Sequence, residues 1–169
     1  MNLPLRATAP AFSALEFRAA LGMFATGVTV VTARTATGEL VGLTANSFNS
    51  VSLDPPLVLW SLSQRSLSLD AFRTGSHYAI NVLAADQHEL ALRFATPLSD
   101  RWDGVDWTPG VAGAPLITGA MAHFECFNKS RYEEGDHVIF VGQVEQVAHR
   151  PEATPLLFHG GRFYTEHPL

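Results

Sequence analysis

A single cysteine, Cys126, excludes an internal disulfide, and the seven histidines form no HxH, HExxH or i, i+4 pair. Zinc-type ligand spacing is therefore absent, and no metal is expected. A chain that needs no disulfide fits a reducing compartment, so a cytoplasmic location is expected. Basic residues are few, 11 Lys+Arg against 16 Asp+Glu for a formal charge of −5, and they are scattered rather than grouped in a stripe. That argues against nucleic acid and against an anionic membrane surface as partners. No apolar run approaches the roughly 18 residues of a membrane span. Met1–Ser13, with one Arg and two Pro, lacks the apolar core of a secretory signal. There is no GxGxxG after a strand and no GxxxxGK, which excludes nucleotide binding of the Rossmann or P-loop type. Internal repeats and low-complexity segments are also missing.

What is present is apolar and β-rich. With 47% hydrophobic and 16% charged residues over 169 positions, the chain can bury one sizeable core. Residues 1–14 read as an extended arm and 15–169 as one domain. Phe17, Ala20, Leu21 and Phe24 recur on one face of a helix expected from about Leu15 to Phe24, which Gly27 can close. Val28–Thr32 is β-branched throughout and predicts a strand. Thr37-Gly38 is a hairpin turn returning through Leu40–Phe48. Leu57–Leu62, after Pro55-Pro56, and His77–Leu83 are further strands. Short helices are expected at Ser66–Arg73, with a Ser cap, and at Asp86–Ala95, where Asp86 and Glu89 have capping-box spacing. Pro97–Pro115 holds too many breakers for an extended element and reads as an ordered loop anchored by Trp102 and Trp107. Ala122–Phe127 alternates, with Cys126 inward as a packed thiol. A charged turn, Lys129–Glu134, precedes the strand Val138–Val147, in which Gly142 marks a bulge or a close backbone approach. Leu156–Phe158 and Arg162–Thr165 form a terminal hairpin. Six or seven strands with about three peripheral helices predict a mainly β protein with a closed or nearly closed antiparallel barrel.

Three segments can carry chemistry. Thr44-Ala45-Asn46-Ser47-Phe48-Asn49 and on to Ser52 leaves a strand through short side chains, so its backbone donors can approach a planar ligand. A Ser/Asn-rich strand end making local side-chain turns is the other reading. Ser61, Ser63, Arg65, Ser66 and Ser68 sit where a strand ends and a helix opens, a place for a phosphate or an ordinary Ser cap. Gly135-Asp136-His137 precedes an apolar strand, where Asp136 can orient the His137 imidazole, or the residues form a solvated turn.

These segments, taken with Ala25–Thr32, Leu53–Leu59, Asn81-Val82-Leu83 and Arg93-Phe94-Ala95, resemble the flavin reductase family, in the family's order and spacing from about Phe17 to Tyr164. These are the NAD(P)H:flavin oxidoreductases that serve two-component monooxygenases. The resemblance implies an FMN-binding split barrel, a six- to seven-stranded antiparallel Greek-key barrel that is usually homodimeric. It implies a flavin, FMN or FAD, against Thr44, Ala45, Asn46, Ser47, Phe48, Asn49 and Ser52, with the ribityl and phosphate region near Ser61, Ser63, Arg65, Ser66 and Ser68, and Phe94 close by. NADH or NADPH is the implied hydride donor, held on the side of Gly135, Asp136 and His137. His137 would orient the nicotinamide, and a separate oxygenase would receive the reduced flavin. Phe163 would either stack on a ligand or belong to the core.

Overall fold

The structure is a computed structural model that describes residues 7–97 and 100–169. Met1–Arg6 of the expected arm, and Leu98 and Ser99 of the expected loop, lie outside the described residues. In chain order come helix α1 (Ala14–Leu21), strands β1 (Thr26–Gly27), β2 (Thr29–Arg34), β3 (Leu40–Ala45), β4 (Asn49–Leu53) and β5 (Pro56–Ser63), and helix α2 (Leu69–Thr74). Strand β6 (His77–Val82) and helix α3 (His88–Ala95) follow. Strands β7 (Trp107–Pro109), β8 (Pro115–Ile117), β9 (Ala122–Glu134), β10 (His137–His149), β11 (Leu157–His159) and β12 (Arg162–Tyr164) complete the order.

Seven strands make one antiparallel sheet, β3-β2-β6-β9-β10-β5-β4. Its edge strands, β3 and β4, are consecutive in the chain and are joined only by Asn46, Ser47 and Phe48. Laid flat, such a sheet would hold its edges roughly 29 Å apart, whereas the chain from Ala45 to Asn49 reaches at most roughly 14 Å. The sheet must therefore curl until its edges meet. Register shifts at Ser50/Ser52 and at Val141/Gly142 bend the strands that do this. The mainly β barrel expected from the sequence is the fold observed.

Strand β2 shows how the core divides. Residues 29–33 are all buried, because successive side chains point to opposite faces and both faces are covered. Val31 and Ala33 join Trp60, Phe72, Tyr78, Ile80, Cys126 and Phe140 inside the barrel. Val30, with Val28 before the strand, joins Leu83, Ala91, Phe94, Ile117 and Leu156 in an outer layer under α3 and the terminal hairpin. Cross-strand partners Trp60 and Phe140 stack at 4.8 Å. A second sheet, β1-β11-β12, fastens the chain's end to this outer layer.

Several boundaries differ from the expectation. Helix α1 stops at Leu21, short of Phe24, and is opened by a capping box in which Ser13 and Glu16 bond reciprocally. No residue of α1 is buried in the chain. Asp86 and Glu89 do not cap α3, which begins at His88; the Gln87 side chain instead accepts from the Ala84 N–H at 3.1 Å. Helix α2 starts at Leu69, later than Ser66, with Ser68 as its N-cap and no side-chain cap bond. The expected loop 97–115 contains strand β7, which pairs with β8, because the buried Asn81 carboxamide accepts the Ile117 N–H at 2.8 Å and pins β8 to the sheet. The expected charged turn 129–134 is strand: β9 runs through Glu134 and pairs with β10 to the Glu134–His137 position. Long cross-strand pairing outweighs the local polarity there. Gly142 behaves as expected, since a Cβ there would meet the Tyr78 hydroxyl at 2.5 Å and the Cys126 Cβ at 2.9 Å.

Candidate active site at the barrel seam

The seam where β3 and β4 meet is the segment Asn46–Phe48. Its backbone cannot continue either ladder, because it crosses from one sheet edge to the other. The Ser47 hydroxyl closes the gap by accepting the Ser61 N–H at 2.9 Å and donating to the Ser61 carbonyl at 3.3 Å. Two of the three sequence-predicted segments thus meet through one side chain. Phe48 turns inward onto Phe124, with ring centroids 5.1 Å apart, and packs against the barrel core.

The third segment arrives by register. His137 lies opposite Ser63 on β5, two residues beyond the Ile139–Ser61 pair. Gly135, at φ 60°, makes the turn that lets β9 reverse into β10. This turn is tied to the loop after β5: the Gln64 N–H donates to the Asp136 carbonyl at 2.9 Å and the Gln64 side-chain amide to the Gly135 carbonyl at 3.3 Å. The His137 Nδ1 lies 2.7 Å from the Asp136 carboxylate. That hydrogen bond and the imidazole's charge hold the Asp136 carboxyl below its usual range, and the Arg65 guanidinium contributes in the same direction.

Beside the seam is a cavity of about 180 Å³ bounded by Val28, Thr44, Ala45, Asn46, Ala95, Phe158 and Phe163. It has an aromatic and aliphatic wall on one side and a strand-end backbone on the other. Strand β3 is a sheet edge, and Gly42 turns its carbonyl off the sheet to accept from Arg101 at 2.8 Å. Two residues on, Thr44 presents its backbone to the same free edge, while its hydroxyl is committed to the Ala91 carbonyl at 2.6 Å. An aromatic wall facing unladdered backbone donors and the Asn46 amide is the donor set that a flavin ring requires. The residues present fit that group.

The remaining expected residues fall in different places. Ala45 lines the cavity and Asn49 lies at the seam's far end, opposite Leu59. Ser52 pairs with Leu57 at the other end of β5 and is not brought to the seam. The Ser63 and Ser66 hydroxyls accept the Arg65 and Ser68 N–H groups, each at 3.2 Å, so they shape their own loop. Ser68 itself lines a separate cavity of about 220 Å³ with Leu40, Gly42, Leu67, Arg101 and Trp102. Phe94 is buried under β3 against Trp102, at 4.8 Å, and a Cβ on Gly42 would strike its ring at 2.8 Å. Phe163 lines the cavity and packs on Phe158 in the outer layer. Sequence reasoning missed Val28, Ala95, Phe158 and Gln64. The first three read as core residues, and nothing local distinguishes a core residue that faces a cavity. Among the described residues no group of three or more His, Cys, Asp or Glu is placed to hold a metal ion, and no helix is long and apolar enough to cross a membrane.

Comparison with known proteins bears on this geometry. The model of the flavin reductase like domain matches residues 21–167. The chain is 51% identical over 148 residues to the FMN reductase (NADH) SmoA of Agrobacterium fabrum, covering 88% of this chain and 83% of that one. It is 37% identical over 155 residues to HsaB, the reductase subunit of a flavin-dependent monooxygenase from Rhodococcus jostii, covering 92% and 79%. It spans 44% of the length of a probable flavin reductase of Rhizobium meliloti. Among solved structures, the Streptomyces globisporus NADH:FAD oxidoreductase SgcE6, in complex with NAD and FAD fragments, superposes with a TM-score of 0.87 at 44% identity, covering 91% of this chain and 93% of that one. A sheet whose edges are forced together at a polar seam, matched along nearly its whole length by these proteins, makes the chain a member of the flavin reductase family with the FMN-binding split-barrel fold.

Proposed function

We propose that the chain is an NAD(P)H:flavin oxidoreductase, with NADH as the preferred donor, and that it delivers reduced FMN or FAD to a separate flavin-dependent monooxygenase. The observation that carries this reading is the junction at the end of β5, where Ser47 bonds to Ser61 and Gln64 holds the Gly135-Asp136-His137 turn. A flavin-side edge and a candidate nicotinamide-side turn are thereby joined by hydrogen bonds through the end of β5. Bound flavin supplies the acceptor for a hydride from the nicotinamide. The chain's own residues need no acid or base for that step, only proximity and preorganised donors. The β3 edge, Asn46 and the Phe158–Phe163 wall position and shield the ring. Asp136 fixes the His137 ring so that it orients the nicotinamide and excludes water. Arg65 and the serines of its loop carry the phosphate side.

Residues 15–169 act as one domain in this reading, in the cytoplasm and as a homodimer. The apolar residues left exposed on and beside α1, among them Phe17, Leu21 and Phe24, support the last point. A flavin-binding carrier without efficient NAD(P)H turnover is the competing reading, favoured by the exposed position of His137. Loss of NADH absorbance on adding FMN or FAD decides between them. Flavin-dependent NADH oxidation is expected; protein that binds flavin yet leaves NADH and NADPH intact would establish the carrier.

A further inference from the structure

We propose that Gln64 is a positioning residue that latches the Gly135-Asp136-His137 turn to the β5–α2 loop and so sets the affinity for the nicotinamide donor. This deepens the reductase reading and rests on it. Beyond the ladder pairing of His137 with Glu134 and Ser63 and its bond to the Asp136 carboxylate, the turn has few restraints. Gly135 and Asp136 are the two loop residues of a hairpin whose legs, Glu134 and His137, are exposed, and a Cβ on Gly135 would meet nothing within 4 Å. Gln64 engages both loop residues, its backbone N–H on the Asp136 carbonyl at 2.9 Å and its side-chain amide on the Gly135 carbonyl at 3.3 Å. It stands between Ser63, which is paired with His137, and Arg65, whose charge acts on Asp136. The residue joins the two halves of the site without facing the cavity beside the seam. Substitution by Ala or Glu removes the side-chain bond and leaves the backbone one, and an exposed neutral hydrogen bond is worth about a two- to tenfold change in an equilibrium.

The expected signature is a split among kinetic constants. In Gln64→Ala the KM for NADH rises about two- to tenfold, while kcat at saturating NADH and the flavin Kd from fluorescence quenching stay within about twofold. Gln64→Glu, the same size but without the N–H donor, should behave like Gln64→Ala. A wild-type NADH KM in that variant would assign the residue's role to packing and overturn the proposal. The effect should vanish in a His137→Ala background, because the latch acts through that turn. An undiminished effect there, or equal losses of flavin affinity and thermal stability, would also overturn it. Hydrogen exchange of a peptide covering residues 130–140 separates the latch from the activity. Should wild-type protein fail to oxidise NADH, the reductase reading falls, and faster exchange of that peptide in Gln64→Ala still supports the latch. Unchanged exchange would overturn it whatever the activity.

Discussion

Asp136 and His137 interact at 2.7 Å on an exposed turn, so their pairing tunes orientation far more than stability. The direction of the Asp136 shift, downward, means that the carboxylate stays ionised as pH falls through the ordinary carboxylate range. The arrangement is complete above that range and is lost only when pH drops through the lowered value. Asp136→Asn is therefore expected to raise the NADH KM about two- to fivefold at neutral pH without changing flavin affinity, as titration of each ligand will show. Cys126 is the opposite case. Burial, with the carboxylates of Glu145 and Glu125 nearby, pushes its thiol up to about 12 from an ordinary 9.0. Native protein should resist alkylation at pH 8 and react once denatured. Between those two values the folded chain keeps a proton that the unfolded chain has released, so stability falls as pH rises through that window. Denaturation curves of Cys126→Ala at increasing pH should show a shallower decline.

Among the elements, β9 and β10 decide most about the site. Their pairing carries His137 to the end of β5, yet the charged residues 129–134 concealed half of β9 from sequence reasoning. A hairpin this long has one exposed end, where polar side chains are compatible with a strand, and only the partner strand discloses that. Gly142 lies at the bulge in the same hairpin, pressed against Tyr78 and Cys126. Gly142→Ala should lower unfolding free energy by about 1–3 kcal/mol through overpacking, measured in urea, with little change in the seam. The helices teach the same lesson at their ends. Apolar spacing located all three, but only α1 carries the side-chain cap that polar residues at a helix start suggest, and α2 and α3 open without one. Gln87, the N-cap residue of α3, turns its side chain back onto the Ala84 N–H of the preceding turn rather than onto the helix.

The whole molecule is a barrel with an apolar helix lying outside it. Leu15, Leu21 and Phe24 are 76%, 58% and 76% exposed, an arrangement that a homodimer would relieve. Phe17→Glu with Leu21→Glu should shift the sedimenting species toward monomer, while a protein of unchanged mass in both forms would remove α1 from the interface. Much was legible in the chain itself. β-branched runs, glycine turns and period-2 alternation are local properties, and they specified a mainly β protein with short helices; the polar runs Thr44–Ser52, Ser61–Ser68 and Gly135–His137 stood out as candidates, with the roles that the family resemblance implied. Assembly of those segments was not local. Only the tertiary structure closed the sheet's edges on Asn46–Phe48, put Ser52 opposite Leu57 at the other end of β5 from Ser61, buried Phe94, and brought Phe158 to the cavity and Gln64 to the Gly135–His137 turn. The reason is physical: strand order and register arise from pairings between residues far apart in sequence, and a candidate site at a seam is made by those pairings.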